Sequence, residues 1–278
     1  MTTFVVSILT TNKDLSSTRI TNLKRLFPES RYVVRVDQCI PPSSLVSTTA
    51  YTAQQQAETI CINKILSESR TQYPSAYVLI IKDTSITVST SEQIYQLLNQ
   101  ATEQAGWELF YLTKWLDRCD LYGIPQNVKN KTYTFINTFS PNGFQAIMFS
   151  PRGRDVILGE IPMKNGKLFP PVTQPIEIQL NSNIANGNII AISTVPNAFE
   201  YDISLATNTS DFEKANLCSD VSLTGGINQN GGSGTEQTGM SFIWYVIIII
   251  MVILIVVALW YLFGGNHPKE KKKEEFNL

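Results

Sequence analysis

The chain has 278 residues and a formal net charge of −1. Only 16% of its residues are charged, below the roughly 25% of an average globular protein, so no basic field is present to hold nucleic acid. Its single histidine, His267, stands close to the C-terminus. Imidazole catalysis and histidine zinc sites are thereby excluded from the folded part, which leaves carboxylates, hydroxyls, lysines or a borrowed metal.

In chain order, Phe4–Thr10 is a predicted strand, and Thr18–Phe27 a helix with Ile20, Leu23, Leu26 and Phe27 on one face and Pro28 closing it. Tyr32–Val36 is a second strand. Tyr51–Leu66 is helical, with Ala57, Ile60, Cys61 and Ile65 expected inward. The run AYVLIIK at Ala76–Lys82 is apolar up to its closing lysine, as in a strand buried on both faces of a parallel sheet. Ser91–Ala105 follows as a helix with Ile94, Leu97, Leu98 and Ala101 inward, then Glu108–Leu112 as a strand. Farther on, Gln145–Phe149 reads as a strand and Pro151–Leu158 as a helix, with Ser150 as N-cap and Pro151 at the first helical position. A short element starts at Pro175, and Ile189–Ser193 is the last predicted strand. This alternation implies an α/β sheet with helices on both faces. Ligands of such sheets sit beyond the carboxyl ends of the strands, here Leu9–Asn12, Asp37, Lys82–Ser85 and Thr113–Asp120.

The C-terminal region has a different character. Phe242–Phe263 is 22 residues without a charge, Gly or Pro, about 33 Å as a helix, enough to cross a bilayer core. Trp244 and Tyr245 at one end, and Trp260 and Tyr261 at the other, suit the two headgroup belts. The expected organisation is a globular domain over 1–221, a Gly-rich linker over 222–241, a transmembrane helix over 242–263 and a short charged tail over 264–278. No Lys or Arg occurs between Ala215 and Pro268, which favours a cytosolic tail, but the N-terminal stretch lacks a signal pattern. The latter carries more weight, giving a tail-anchored protein with its main domain in the cytosol and a lipid bilayer and membrane-associated proteins as partners. Cys39, Cys61, Cys119 and Cys218 are widely spaced without a CxxC pair. They are expected as thiols of a reduced compartment, with two disulfides as the alternative.

Four fragments in order resemble glycosyltransferase family 25, the lipopolysaccharide and procollagen glycosyltransferase type. They are VLIIKDTS at Val78–Ser85, GWELFYL at Gly106–Leu112, AIMFSPRGRDVIL at Ala146–Leu158 and PIEIQL at Pro175–Leu180, after which NIIAISTVP at Asn188–Pro196 sits where the family has a strand leading to a Pro. The resemblance implies a glycosyltransferase A-like nucleotide-binding sheet, a UDP-sugar donor and Mn²⁺ or Mg²⁺ held by an acidic cluster. It places Ser7-Ile8-Leu9 where the family has Ile-Asn-Leu, and Glu177 where the family has a carboxylate. It also sets Lys82 at the family's Glu, Asp83 at its first Asp and Thr84 at its second. One carboxylate of three survives, and a lysine there repels a dication while being able to pair with a phosphate.

The nucleotide-sugar residues implied are therefore Ser7, Leu9, Lys82 and Asp83, with Asp83 and Glu177 as the catalytic candidates. Weaker constellations are the carboxylates Asp117 and Asp120, the arginines Arg152 and Arg154 at a helix start, and the aromatics Trp107, Tyr111, Trp115 and Tyr122. Asn130-Lys-Thr and Asn208-Thr-Ser are glycosylation sequons that matter only to a lumenal domain. The expectation is a degenerate member of the family without a metal cofactor, acting as a structural or interaction component on a membrane. Such a protein suits a virion or minor capsid component of a large DNA virus. The alternative is an active transferase moving a sugar from a nucleotide donor to a protein or glycan.

Overall fold

The computed structural model describes residues 2–47, 51–114, 133–171, 174–202 and 205. The chain divides into two compact units, Met1–Asn228 and Gln229–Leu278, and every described residue belongs to the first. Its elements are β1 (Phe4–Thr10), α1 (Thr18–Leu26), β2 (Tyr32–Gln38), α2 (Ala53–Gln72), β3 (Tyr77–Lys82), β4 (Ser85–Ile86), α3 (Ser91–Glu103), β5 (Leu109–Tyr111), β6 (Thr134–Thr138), β7 (Ala146–Phe149), α4 (Pro151–Ile157), α5 (Ile176–Ala185), β8 (Ala191–Val195) and β9 (Glu200–Tyr201). Among the described residues no helix is long and apolar enough to cross a membrane, and the apolar run Phe242–Phe263 lies outside them.

Seven strands form one mixed sheet in the order β2-β1-β3-β7-β5-β8-β6. β1 runs parallel to β2 and β3, and β5 parallel to β8, whereas β7 is antiparallel to both its neighbours and β6 antiparallel to β8. Period-two alternation sends β1 side chains to two cores. Val5 and Leu9 pack on one face with Ile62, Ile65 and Leu66 of α2, Val156 of α4 and Leu180 of α5. Phe4, Val6 and Ile8 pack on the other with Leu23 of α1 and Ile94, Leu97 and Leu98 of α3. Helices therefore cover both faces, as the strand–helix alternation predicts, and every residue of β1 is buried.

Local chemistry sets the helix starts. Thr52 and Thr90 each accept a hydrogen bond from the backbone three residues on, while Gln55 and Gln93 reach back to the cap N–H, two reciprocal capping boxes. Thr90→Ala is expected to cost about 1 kcal/mol, read as a lower urea midpoint at unchanged slope. Ser150 caps α4 by accepting from Gly153 N–H at 3.0 Å, and α4 lies so close to the sheet that a Cβ on Gly153 would stand 1.9 Å from the Glu108 carbonyl oxygen.

Three readings are corrected. Ile60 points to solvent (60% exposed), and Ile62 takes the inward position beside Ile65 and Leu66. The arginines of α4 are not a free pair awaiting phosphate. Arg154 is 1% exposed and its guanidinium donates to the carbonyls of Tyr73 and Pro74 at 3.1 and 2.6 Å, while Arg152 donates to Glu108 at 3.2 Å. Cys39 and Cys61 are disulfide-bonded with their Cα atoms 5.7 Å apart, not thiols. Wide sequence spacing concealed this pair, because α2 returns across the end of β2. Cys119 and Cys218 lie outside the described residues.

Candidate functional site

The chain leaves β1 through α1 to reach β2 on one side, then passes through α2 to reach β3 on the other. The α1 connection leaves the carboxyl end of β1 over one face and the α2 connection leaves that of its neighbour β2 over the other, and beyond strand ends where connections diverge in this way an α/β sheet opens a crevice. A pocket of about 210 Å³ lies there, lined by Leu9, Thr10 and Thr11 after β1, Cys39 after β2, Glu58 of α2, Lys82, Asp83 and Thr84 at the end of β3, Gln145, and Tyr201.

Backbone hydrogen bonds fix the walls. Asp83 N–H donates to Leu9 O at 2.8 Å, Cys39 N–H to Thr10 O at 2.9 Å, and Lys82 N–H to Gln145 O at 2.8 Å. Within this frame the polar side chains satisfy one another. Thr10 Oγ1 donates to Asp83 Oδ2 at 2.5 Å and accepts from Asn12 N–H. Lys82 Nζ donates to Glu58 Oε2 at 2.7 Å, and Glu58 Oε1 accepts from Gln54 Nε2 at 3.2 Å. On the far wall Thr84 Oγ1 donates to Gln145 Oε1 at 2.9 Å, and β4 pairs with β9 to bring Tyr201 opposite Ser85. Two carboxylates and one ammonium therefore share the pocket, with its remaining polar lining neutral.

Of the residues singled out in the sequence, Leu9, Lys82, Asp83 and Thr84 come together here, with Thr10 and Thr11 of the β1 strand end. Ser7 does not line the pocket. It is buried, and its hydroxyl donates to Asp37 at 2.6 Å beneath α2. Asp37 also takes two hydrogen bonds from Arg35, which reaches Glu68 at 2.7 Å. The Asp37 hydrogen bond, outweighing burial, holds the Arg35 guanidinium above its ordinary range. Glu177 is likewise outside the lining. Its carboxylate accepts from Gly143 N–H at 2.8 Å, fixing the segment that leads into Gln145. Trp107 and Tyr111 are core residues, and the Trp107 indole donates to Ala101 O at 2.7 Å. Asp117, Asp120, Trp115 and Tyr122 lie outside the described residues, as do both sequons.

Glu58, Gln145 and Tyr201 were not singled out in the sequence. Glu58 had one available signal. It occupies the second turn of the helix that leaves β2, and a helix leaving the carboxyl end of a strand begins beside the strand-end crevice. Gln145 and Tyr201 arrive through long-range pairing that no local pattern announces.

A divalent cation needs several hard oxygen ligands without a competing positive charge. Here the Lys82 ammonium projects among the carboxylates, Glu58 is engaged by it, and Asp83 is engaged by Thr10. Among the described residues no group of three His, Cys, Asp or Glu side chains is placed to hold a metal ion. The described residues of this pocket do not fit the cation that the family resemblance implies.

No protein-family model matches the chain, and no curated protein matches it. Solved structures similar to it include a CMP:2-keto-3-deoxy-manno-octonic acid synthetase complexed with CTP, at 8% identity and a TM-score of 0.36, covering 78% of this chain and 98% of that one. A UDP-glucose pyrophosphorylase complexed with UDP-glucose matches at 11% identity and a TM-score of 0.33, covering 79% and 97%. A protein described as a glucose-1-phosphate thymidylyltransferase from Bacillus anthracis, in complex with a sucrose, matches at 11% and 0.32, covering 80% and 97%. The assignment of a mixed α/β sheet rests on the strand order and register above.

Proposed function

We propose that the domain is glycosyltransferase-like, that it has kept the strand-end pocket and lost metal-dependent sugar transfer, and that it works as a binding or interaction component at a membrane. The observation that carries this reading is the ion pair of Lys82 with Glu58, 2.7 Å long and about one-fifth exposed on each side. It stands where the family resemblance calls for a metal-binding carboxylate. A cation fixed there opposes a second, divalent cation, and the lone neighbouring Asp83 offers too few oxygens to overcome that. The apolar run Phe242–Phe263 supports the membrane part of the proposal.

The test is titration of the full chain in detergent with UDP-sugars, with and without Mn²⁺, alongside a hydrolysis assay. The expected result is neither Mn²⁺-dependent binding nor turnover. Mn²⁺-dependent hydrolysis by the wild-type chain would overturn the proposal in favour of the active transferase. In the complementary arm, Lys82→Glu with Thr84→Asp is expected to raise Mn²⁺ affinity on the order of tenfold or more, with circular dichroism verifying the fold. An unchanged affinity would show that missing ligands are not what separates this pocket from a metal centre.

A further inference from the structure

We infer that the Cys39–Cys61 disulfide is a redox-sensitive clasp on the strand-end pocket, which a dithiol reductant opens to release Glu58 from Lys82. The inference rests on the reading of that pocket as the functional site.

Both ends of the bond are wired into the pocket. On the β2 side, Cys39 is itself part of the lining, and its N–H donates to the carbonyl of Thr10, whose hydroxyl holds Asp83. The carbonyl of Cys39 accepts from Gln54 Nε2 at 3.0 Å, and that same amide nitrogen reaches Glu58 Oε1. On the α2 side, Cys61 stands three residues after Glu58, so the two side chains share a helix face. The disulfide thus connects the group that fixes Asp83 to the helical turn that delivers Glu58 to Lys82. Two further hydrogen bonds, Ala53 N–H to Ser47 Oγ and Gln56 Nε2 to Val46 O, join the same segments and are exposed to water.

The rest of α2 stays anchored. Thr59 accepts from Ile176 N–H at 3.1 Å, and Ile62, Ile65 and Leu66 are buried in the core. Opening the bond therefore frees the segment after β2, which takes with it the contacts of Cys39, Val46 and Ser47 that steady Ala53, Gln54 and Gln56 in the first turn of α2, and leaves the sheet in place.

The chemistry closes on a dithiol. Cys61 is half-buried and Cys39 buried, so Cys61 is the more exposed of the two residues and attack is assigned to its Sγ. A reductant thiolate attacks it, a mixed disulfide forms, and Cys39 leaves as a thiolate that takes up a proton. The second thiol of the reductant then attacks the mixed disulfide and frees Cys61 as a thiol. Two electrons and two protons pass to the protein, and the reductant departs as its own disulfide.

The experiment is hydrogen–deuterium exchange and amine acylation of the full chain in detergent, with and without dithiothreitol, after alkylation has mapped the free thiols. Before reduction, Cys39 and Cys61 are expected to resist alkylation. On reduction, exchange over 39–47 and 53–58 is expected to rise roughly tenfold, with β1 and β3 unchanged. Acylation of Lys82 should rise to the level seen in oxidised Glu58→Gln. Cys39→Ser with Cys61→Ser should show the fast pattern without reductant and no response to it. Alkylation of both cysteines in the unreduced protein, Lys82 acylation that ignores reduction, or a loss of protection spread evenly through β1 and β3 would each overturn the inference. Because no ligand is used, a pocket that fails to bind UDP-sugar leaves these readouts intact.

Discussion

Gly153→Ala is expected to destabilise the domain by about 3 kcal/mol, at the upper end of overpacking effects, and to lower its thermal midpoint by roughly 10 °C. The added methyl would lie 1.9 Å from the carbonyl oxygen of Glu108 and 2.6 Å from its carbonyl carbon, both backbone atoms with no rotamer to change. That carbonyl already accepts from Ser150 N–H at 3.1 Å, and the Glu108 N–H donates to Ile190 O at 2.8 Å, so the strand cannot swing aside. Helix α4 must lift instead, which pulls Val156 and Ile157 out of their core and breaks its own cap at Ser150. Gly166→Ala is the control. Gly166 has φ +77° with open space around its Cβ position, so only left-handed strain of about 1 kcal/mol applies. Equal midpoints for the two variants, by calorimetry, would refute the close-approach argument.

Arg154→Met is expected to remove about 3 kcal/mol, because it keeps the bulk of a buried side chain and deletes its hydrogen bonds. Arg154 serves as a C-terminal clamp for α2. Its two terminal nitrogens donate to Tyr73 O and Pro74 O, just past the last helical residue, and its Nε to Asp155 at 3.0 Å. A helix end carries carbonyls without intrahelical donors, and the guanidinium fork supplies two at once. Arg154→Lys should recover only part of the loss, since an ammonium lacks the planar fork. Urea unfolding checks both, with a lower midpoint at unchanged slope marking a true stability effect. A variant within 0.5 kcal/mol of wild type, roughly the range of an inert surface substitution, would mean that water replaces the clamp without penalty.

The parts of this fold legible in the sequence are those where one force dominates. AYVLIIK admits no reading but a strand buried on both faces, and β3 forms there, starting at Tyr77. The Ser150-Pro151 pair marks the start of α4 because cap and first turn each prefer those residues. Where forces compete, the pattern fails. Ile60, Cys61 and Ile62 are consecutive apolar residues on a helix, so periodicity alone leaves its rotation open. Burial of Thr59, whose hydroxyl donates to Gln55 O and accepts from Ile176 N–H, selects the face that turns Ile60 outward. The pairing of β4 with β9 involves only two residues of each, too few to show a period, and the edge strand β6 alternates imperfectly between buried and exposed residues, so neither was predicted. The pocket was half legible in the same sense. Strand ends gave Leu9, Lys82, Asp83 and Thr84, whereas Glu58 depends on where α2 crosses, and Ser7, on the same face as Leu9 but two residues back from the strand end, is buried under α2 with its hydroxyl on Asp37.

The place of β7 in the sheet bears on how the chain is made. β3 is filled on one edge by β1, but its other edge waits for β7, which is translated only after β4, α3, β5 and β6. At roughly 5–20 residues per second that interval lasts several seconds, during which a mostly apolar strand presents open backbone donors and acceptors. Such an edge is a template for pairing with another nascent chain. Pairing of Ala146–Phe149 with that edge is therefore the step that closes the N-terminal β-α-β-α-β half against such contacts.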